Sequence, residues 1–156
     1  AFRTVVDIDL NGTFNVFRGC HDLLNLPGAS LIAITAGQAV NALQLQAHAC
    51  AAKAGINQLI RVLALEWGPD VRVNGISPGP IEGTEGMARL APDSSTRQKH
   101  FDRIAMKRWG LIEEIAEGAV FLSSDAAKYI TGTILDIDGG SQLGDATRRD
   151  TGKGLA

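Results

Sequence analysis

Two cysteines, Cys20 and Cys50, are all that the 156 residues contain, too few for a disulfide-stapled secreted miniature. Long apolar runs are missing as well. None approaches the about 20 residues a membrane span needs, and no secretory or other targeting signal opens the chain. Aromatic residues are scarce at 5%, which suits neither a base-stacking nucleic-acid platform nor a β-sandwich. Neither sign of charge dominates: 15 Lys and Arg against 17 Asp and Glu leave a formal net charge of −2. The clustered positive excess that nucleic acids or anionic membranes attract is therefore absent. With 45% apolar and 21% charged residues, the composition predicts one soluble, intracellular globular domain with neither nucleic acid nor membrane as partner.

What the chain does have is glycine, 18 residues of it, placed at the junctions between aliphatic segments. Val6, Leu10, Thr13, Phe14 and Phe17 recur at helical spacing and predict a helix from about Thr4 to Leu24. Pro27-Gly28 breaks the chain, and the run Leu31–Thr35 reads as a buried parallel strand at about 30–35. A long helix is expected from Leu43 to Trp67, striped by Ile56, Leu59, Ile60, Leu63 and Trp67 and ended by Gly68-Pro69. Its first half is nearly all small residues, so that end should face a cofactor, a sheet or another subunit. Further strands are expected at 71–76 and 133–137, with a helix through Ile112, Ile115, Ala119 and Leu122 between them. Residues 82–107 read as irregular or loosely helical, a length of connection that points to a lid or binding loop. The tail 144–156 is polar and reads as loose.

This alternation predicts an α/β fold, a parallel doubly wound sheet of about three strands with flanking helices, over residues 1–143. Function should then lie in the loops at the carboxyl ends of the strands, beginning at Thr35, Ser77 and Asp138.

Four runs carry a resemblance. They are Asp7-Ile8-Asp9-Leu10-Asn11-Gly12-Thr13-Phe14; Ala52-Lys53-Ala54-Gly55; Arg72-Val73-Asn74-Gly75-Ile76-Ser77-Pro78-Gly79-Pro80-Ile81; and Tyr129-Ile130-Thr131-Gly132 through Asp138-Gly139-Gly140. In this order, over nearly the whole chain, they resemble the short-chain dehydrogenase/reductase family, whose fold is Rossmann-like. That family opens with a Gly-rich phosphate-binding turn and further strands that have no counterpart here, so the resemblance implies the C-terminal portion of a longer enzyme. The portion alone is expected to be inactive, lacking the turn that holds a pyrophosphate.

The family usually works with an Asn, Ser, Tyr and Lys set, the Tyr four residues before the Lys, so that the ammonium favours the phenolate. Here Lys53 is present, but Ala49 stands at the Tyr position, Ala36 at the Ser position and Asp9 at the Asn position. The pattern is more similar to the 2,4-dienoyl-CoA reductase branch, peroxisomal type and bacterial relatives, through Asp7–Asn15, His48–Lys53 and Pro78–Gly86. That resemblance implies an oxidoreductase of fatty-acid β-oxidation with an acyl-CoA thioester as substrate and NADPH as cofactor. It also implies a homo-oligomer, dimer or tetramer, in the cytoplasm of a bacterium or the peroxisome of a eukaryote. Asp9 and Lys53 would order a proton-donating water; Lys53, Pro78, Gly79, Pro80, Ile81, Gly83 and Thr84 would hold the cofactor; Thr35 and Arg89 would meet the substrate.

Each assignment has a plainer rival. Asp9 and Arg89 could be solvated, Lys53 could lie on the surface, Pro78–Thr84 could be only a turn, and Thr35 could only pack a strand end. His48, Cys50, Cys20 and His21 have no zinc-ligand spacing, and no metal site is expected. Two other functions stay open: a 3-oxoacyl thioester or other carbonyl reductase drawing its proton from elsewhere, Tyr129 being the only Tyr, and a non-catalytic scaffold.

Overall fold

A computed structural model describes residues 1–147. Helix α1 (Phe2–Val6) runs through a π-helical turn (Asp7–Asn11) into α2 (Gly12–His21). Strand β1 (Ala29–Ile34), helix α3 (Ala47–Trp67) and strand β2 (Val71–Pro78) follow. Two short helices, α4 (Glu85–Leu90) and α5 (Ser94–Arg103), lead to α6 (Ile112–Ser123) and strand β3 (Ile134–Ile137). The strands form one parallel sheet in the order β1-β2-β3. The predicted α/β architecture is the observed one.

The helices form where the apolar period predicts and bury the expected stripe. Ile56, Ile60, Leu63 and Ala64 of α3 join Phe17 of α2 and Ala33, Val71 and Val73 of the sheet in one core. Helix α6 packs against all three strands. Arg72 of β2 donates from Nη1 to the Leu122 carbonyl at 2.6 Å, and Ser30 Oγ of β1 donates to the same oxygen at 3.2 Å. A cation there complements the negative end of the α6 dipole, and the two donors fix that end across β1 and β2.

Several boundaries differ from expectation for local reasons. The first helix carries a π turn at Asp7–Asn11, which periodicity does not reveal. Helix α3 begins at Ala47 rather than Leu43, because the chain turns through Leu45 at φ 63° and the first helical turn opens only at Gln46. Residues 82–107 hold two capped helices. Thr84 Oγ1 accepts from the Met87 N–H at 3.4 Å, and Asp93 Oδ1 accepts from the Thr96 N–H at 2.9 Å, each satisfying a donor that a helix start leaves open. Residues 144–147, expected to be loose, lie against α5: the Ala146 N–H donates to the Arg103 carbonyl at 3.0 Å, and Asp145 pairs with Arg103 at 3.3 Å. The rest of the tail, 148–156, lies outside the described residues. Among those residues β1 pairs with β2 alone.

Asn74, fully buried at the centre of β2, ties the sheet to the turn before β3. Its Nδ2 donates to the Ile130 carbonyl at 3.0 Å, and its Oδ1 accepts from the Thr133 N–H at 3.1 Å. Replacing it with Ala leaves both backbone groups without a partner in the interior. Asn74→Ala should therefore destabilise the fold by about 2–3 kcal/mol in a denaturant titration; a loss below about 0.5 kcal/mol would show that the turn holds without the clamp.

Candidate active site

The carboxyl ends of the three strands meet on one side of the sheet, where parallel crossovers leave room for loops. A cleft of about 300 Å³ opens there. The loop after β1 supplies Gly37, Gln38, Asn41 and Leu43, the end of β2 supplies Pro78, Gly79 and Pro80, α4 supplies Met87, and the loop after β3 supplies Ser141 and Gln142. Gly79 is required by close approach, since a Cβ there would stand 2.5 Å from Asp138 Cα.

The expected cofactor loop is held rigidly. The Gly110 N–H donates to the Pro80 carbonyl at 2.9 Å, and the Glu82 N–H donates to the Gly110 carbonyl at 2.9 Å, so Pro80–Glu82 forms a short parallel ladder with the segment before α6. Thr84 donates from Oγ1 to the Ile81 carbonyl at 2.9 Å while capping α4. Gly83 adopts φ 77°, a conformation that favours glycine. Glu82 pairs with Arg97 of α5, whose guanidinium lies 4.6 Å from the centre of the Trp109 ring. The loop is thus joined to the two-helix segment above the cleft. Its backbone and Gly79 border the cleft of about 300 Å³.

Asp9 and Lys53 meet. Lys53 Nζ stands 3.3 Å from Asp9 Oδ2, with the side chains 22% and 29% exposed, and donates to the Ile34 carbonyl at 3.4 Å. Two local features produce this. The π turn places Asp9 beside α3, and Thr13 Oγ1 donates to the Asp9 carbonyl at 2.6 Å, a second donor to an oxygen that also accepts from the Gly12 N–H. Gly55 then allows the approach, because a Cβ there would lie 2.8 Å from Leu10 Cδ2. The pair is anchored at Ile34, from which the chain enters the wall of the cleft. Ala49 stands one helical turn before Lys53 on α3, without any group to donate a proton.

The remaining expected residues are placed otherwise. Thr35 is 2% exposed and donates its hydroxyl to Asn57 Oδ1 at 2.6 Å, so it packs a strand end beneath the loop rather than lining the cleft. Arg89 lies on the exposed side of α4, paired with Glu85. Tyr129 is fully exposed before β3, while the cleft lies beyond the carboxyl end of that strand.

Two residues escaped the sequence reading. Asp138 enters the sequence analysis as the start of a strand-end loop and as part of a family run, without a role of its own. Burial disfavours its charge, but the N–H groups of Gly140 and Gln142 and the Ser141 and Gln142 side chains outweigh this and hold its carboxyl below the usual value. Gln142 reaches from that turn across the strand ends. The position after Asp-Gly-Gly was a signal that this loop mattered; the reach of Gln142 is a matter of three-dimensional placement.

The chain is similar to known proteins over nearly its whole length. A family model described as enoyl-(acyl carrier protein) reductase matches residues 1–142. The chain is 41% identical over 158 residues to the peroxisomal 2,4-dienoyl-CoA reductase of Pongo abelii, covering 100% of this chain and 53% of that protein. It is 44% identical over 146 residues to the corresponding Rattus norvegicus protein, covering 92% and 50%. Among solved structures, a 4-hydroxyisoleucine dehydrogenase mutant complexed with NADH and succinate matches with a TM-score of 0.82 at 28% identity, covering 92% of this chain and 60% of that one. The chain therefore spans about half the length of the curated relatives it matches.

Beside the ladder, Glu114 accepts from Arg108 Nη1 at 2.8 Å and from the Leu111 N–H at 2.8 Å. The Arg108 guanidinium, then the Leu111 N–H, push its carboxyl down to about 2 from an ordinary 4.5. A depressed acid stabilises the fold above its unfolded value and loses that contribution as pH falls through its folded value. Stability should therefore decline between pH 4.5 and about 2, and Glu114→Gln should flatten that part of the acid limb in thermal melts. An unchanged acid limb would assign the decline to other carboxylates.

Proposed function

The chain belongs to the short-chain dehydrogenase/reductase family, and from that premise we propose that it forms the substrate-binding and proton-delivering half of an NADPH-dependent 2,4-dienoyl-CoA reductase. The observation that carries this reading is the Asp9–Lys53 pair at 3.3 Å in a site where Ala36 and Ala49 replace the usual hydroxyl donors. A ketone reductase must protonate a developing alkoxide and relies on a positioned hydroxyl to do so. A conjugated dienoyl thioester is its own electron sink, so the enzyme need only supply a proton once the dienolate forms.

Lys53, anchored on Asp9 and Ile34, would hold the cofactor ribose, while Asp9 accepts a hydrogen bond from a water and orients its second proton toward the substrate. When bound, the nicotinamide supplies the hydride. Pro78, Gly79, Pro80, Ile81, Gly83 and Thr84 would present backbone groups to its carboxamide, held in place by the Gly110 ladder. The dienoyl group would enter between Met87 and Leu43. Arg89 is the proposed contact for the CoA phosphates, exchanging Glu85 for a phosphate. Thr35 would support the site through Asn57. The exposed position of Tyr129 before β3 argues against the carbonyl-reductase alternative that would use it as donor.

The intact enzyme is also proposed to be a homo-oligomer through α1–α2 and α3, where Val16, Val62 and Leu65 are exposed, in two-fold symmetry. Light scattering of the full-length protein should then give a dimer or larger species; a monomer at high concentration would exclude the interface.

The decisive assay supplies the full-length protein with NADPH and a 2,4-dienoyl-CoA and follows nicotinamide absorbance. Asp9→Ala should lower turnover by about 10²-fold with little change in cofactor affinity, as expected for a lost proton-transfer group. Lys53→Ala should weaken both. Full activity in Asp9→Ala would remove the Asp role, and turnover of a 3-oxoacyl thioester in place of dienoyl-CoA would reassign the substrate.

A further inference from the structure

Three walls of the strand-end region share one side chain. Gln142 borders the cleft described above, a second cavity of about 340 Å³ toward Asn57, Arg61 and Asp136, and a third of about 370 Å³ toward His100 and Arg103. Its backbone N–H donates to Asp138 Oδ2 at 2.9 Å. From that anchor, Nε2 donates to Ser77 Oγ of β2 at 3.2 Å and to Asp136 Oδ1 of β3 at 3.0 Å. Its Oε1 accepts from Asn41 Nδ2 at 3.3 Å, in the loop that leaves β1. Asp136 can only accept, so the orientation of the amide is determined by chemistry: the nitrogen faces the strands and the oxygen faces the loop.

Among the described residues, the loop itself is otherwise hydrogen-bonded only locally. Its backbone bonds close on Ala36, Gly37 and Leu43, and Gln38 reaches Gln46 at 3.4 Å. Among the described residues, the only side-chain hydrogen bond from loop 36–46 to the other strand-end loops is the one to Gln142. Shape reinforces this bond. A Cβ on Gly37 would lie 3.0 Å from Gln142 Cδ and Oε1 and 3.2 Å from Cγ, tighter than ordinary packing. Gly37 does not need glycine for its φ, since it does not fall in the left-handed range. Its bare Cα is instead the surface on which Gln142 lies.

We infer that Gln142 is a positioning residue that sets the separation between loop 36–46 and the ends of β2 and β3, and so the width of the substrate cleft. Its effect on turnover rests on the proposed reductase reading; its effect on the loop does not. Because Gly37, Gln38, Asn41 and Leu43 form one wall of the cleft, releasing them should weaken binding of the acyl thioester more than it slows the chemical step at Asp9 and Lys53.

The test combines amide hydrogen exchange with steady-state kinetics on the full-length protein. Gln142→Ala should speed exchange across 37–46 by about fivefold, the weight of one lost hydrogen bond, and leave β1 and β2 protected. Gln142→Glu keeps the acceptor for Asn41 but loses the donor to Ser77 and Asp136 and sets a second carboxylate beside Asp136, so it should detach the side chain from the strand ends and also speed exchange across 37–46. With dienoyl-CoA as substrate, KM should rise about fivefold and kcat should change less. Gly37→Ala should raise KM in the wild-type background and lose most of that effect in Gln142→Ala, a non-additivity that general destabilisation would not produce. Unchanged exchange over 37–46 in both Gln142 variants would overturn the inference, and so would an additive Gly37→Ala effect. Absence of dienoyl-CoA turnover in the wild-type protein would count against the proposed reaction, and the exchange result alone would then decide the role of Gln142.

Discussion

Strand β2 is buried along nearly its whole length, and that single constraint organises the rest of the molecule. A strand covered on both faces cannot leave a polar group to water, so each one has to find a partner inside. Its backbone is satisfied by β1 on one side and β3 on the other. Its buried side chains are satisfied by the surrounding turns: Asn74 by the segment before β3, and Ser77 by the loop after it. Arg72, half-buried, extends the same logic to the end of α6. The loop Pro78–Thr84 continues directly from this strand, and the turns on either side of β3 answer its polar groups.

The candidate site then follows from small residues in critical places. Gly55 admits Leu10 and so brings Asp9 to Lys53; Gly79 admits Asp138; Gly37 admits Gln142. None of these glycines reacts with anything, yet each fixes the spacing of two loops or helices whose polar groups do the work. Where the family usually places hydroxyl donors the chain has Ala36 and Ala49, and the proposed reading assigns proton delivery to the one carboxylate–ammonium pair near the end of β1.

Much of this was legible in the sequence because it depends on period and punctuation. The stripe Ile56, Ile60, Leu63 specifies a helix and its buried face, and the aliphatic runs at Leu31 and Val71 specify parallel strands. The joint presence of Asp9 and Lys53 was read through resemblance, and the fold makes them neighbours. What periodicity could not reveal depends on contacts between segments distant in sequence. The π turn at Asp7–Asn11 lies in a stretch where three- and four-residue apolar spacings both fit a helix, so that spacing does not announce a one-residue shift of phase. The late start of α3 reflects the backbone at Leu45. Thr35 and Arg89 were chosen by position along the chain, which does not say toward what a side chain turns: Thr35 meets Asn57 and Arg89 meets Glu85. Gln142 was invisible because the partners it reaches on β2 and in the loop after β1 lie 65 and 101 residues away.

The π turn has a bearing on how this segment can change its length. Each residue of an α-helix advances the direction of its side chain by about 100°, and a widened turn accommodates one residue more over nearly the same rise. Val6 and the residues before it are therefore out of phase with those after Gly12 by one position, yet α1 lies on α3 and Phe17 of α2 reaches the core. The stretch Asp7–Asn11 acts as a phase adapter between two helical surfaces. Loss of a single residue there would be absorbed by reversion to regular helix, with both flanking faces kept in register, while the side chains of the turn itself would change direction.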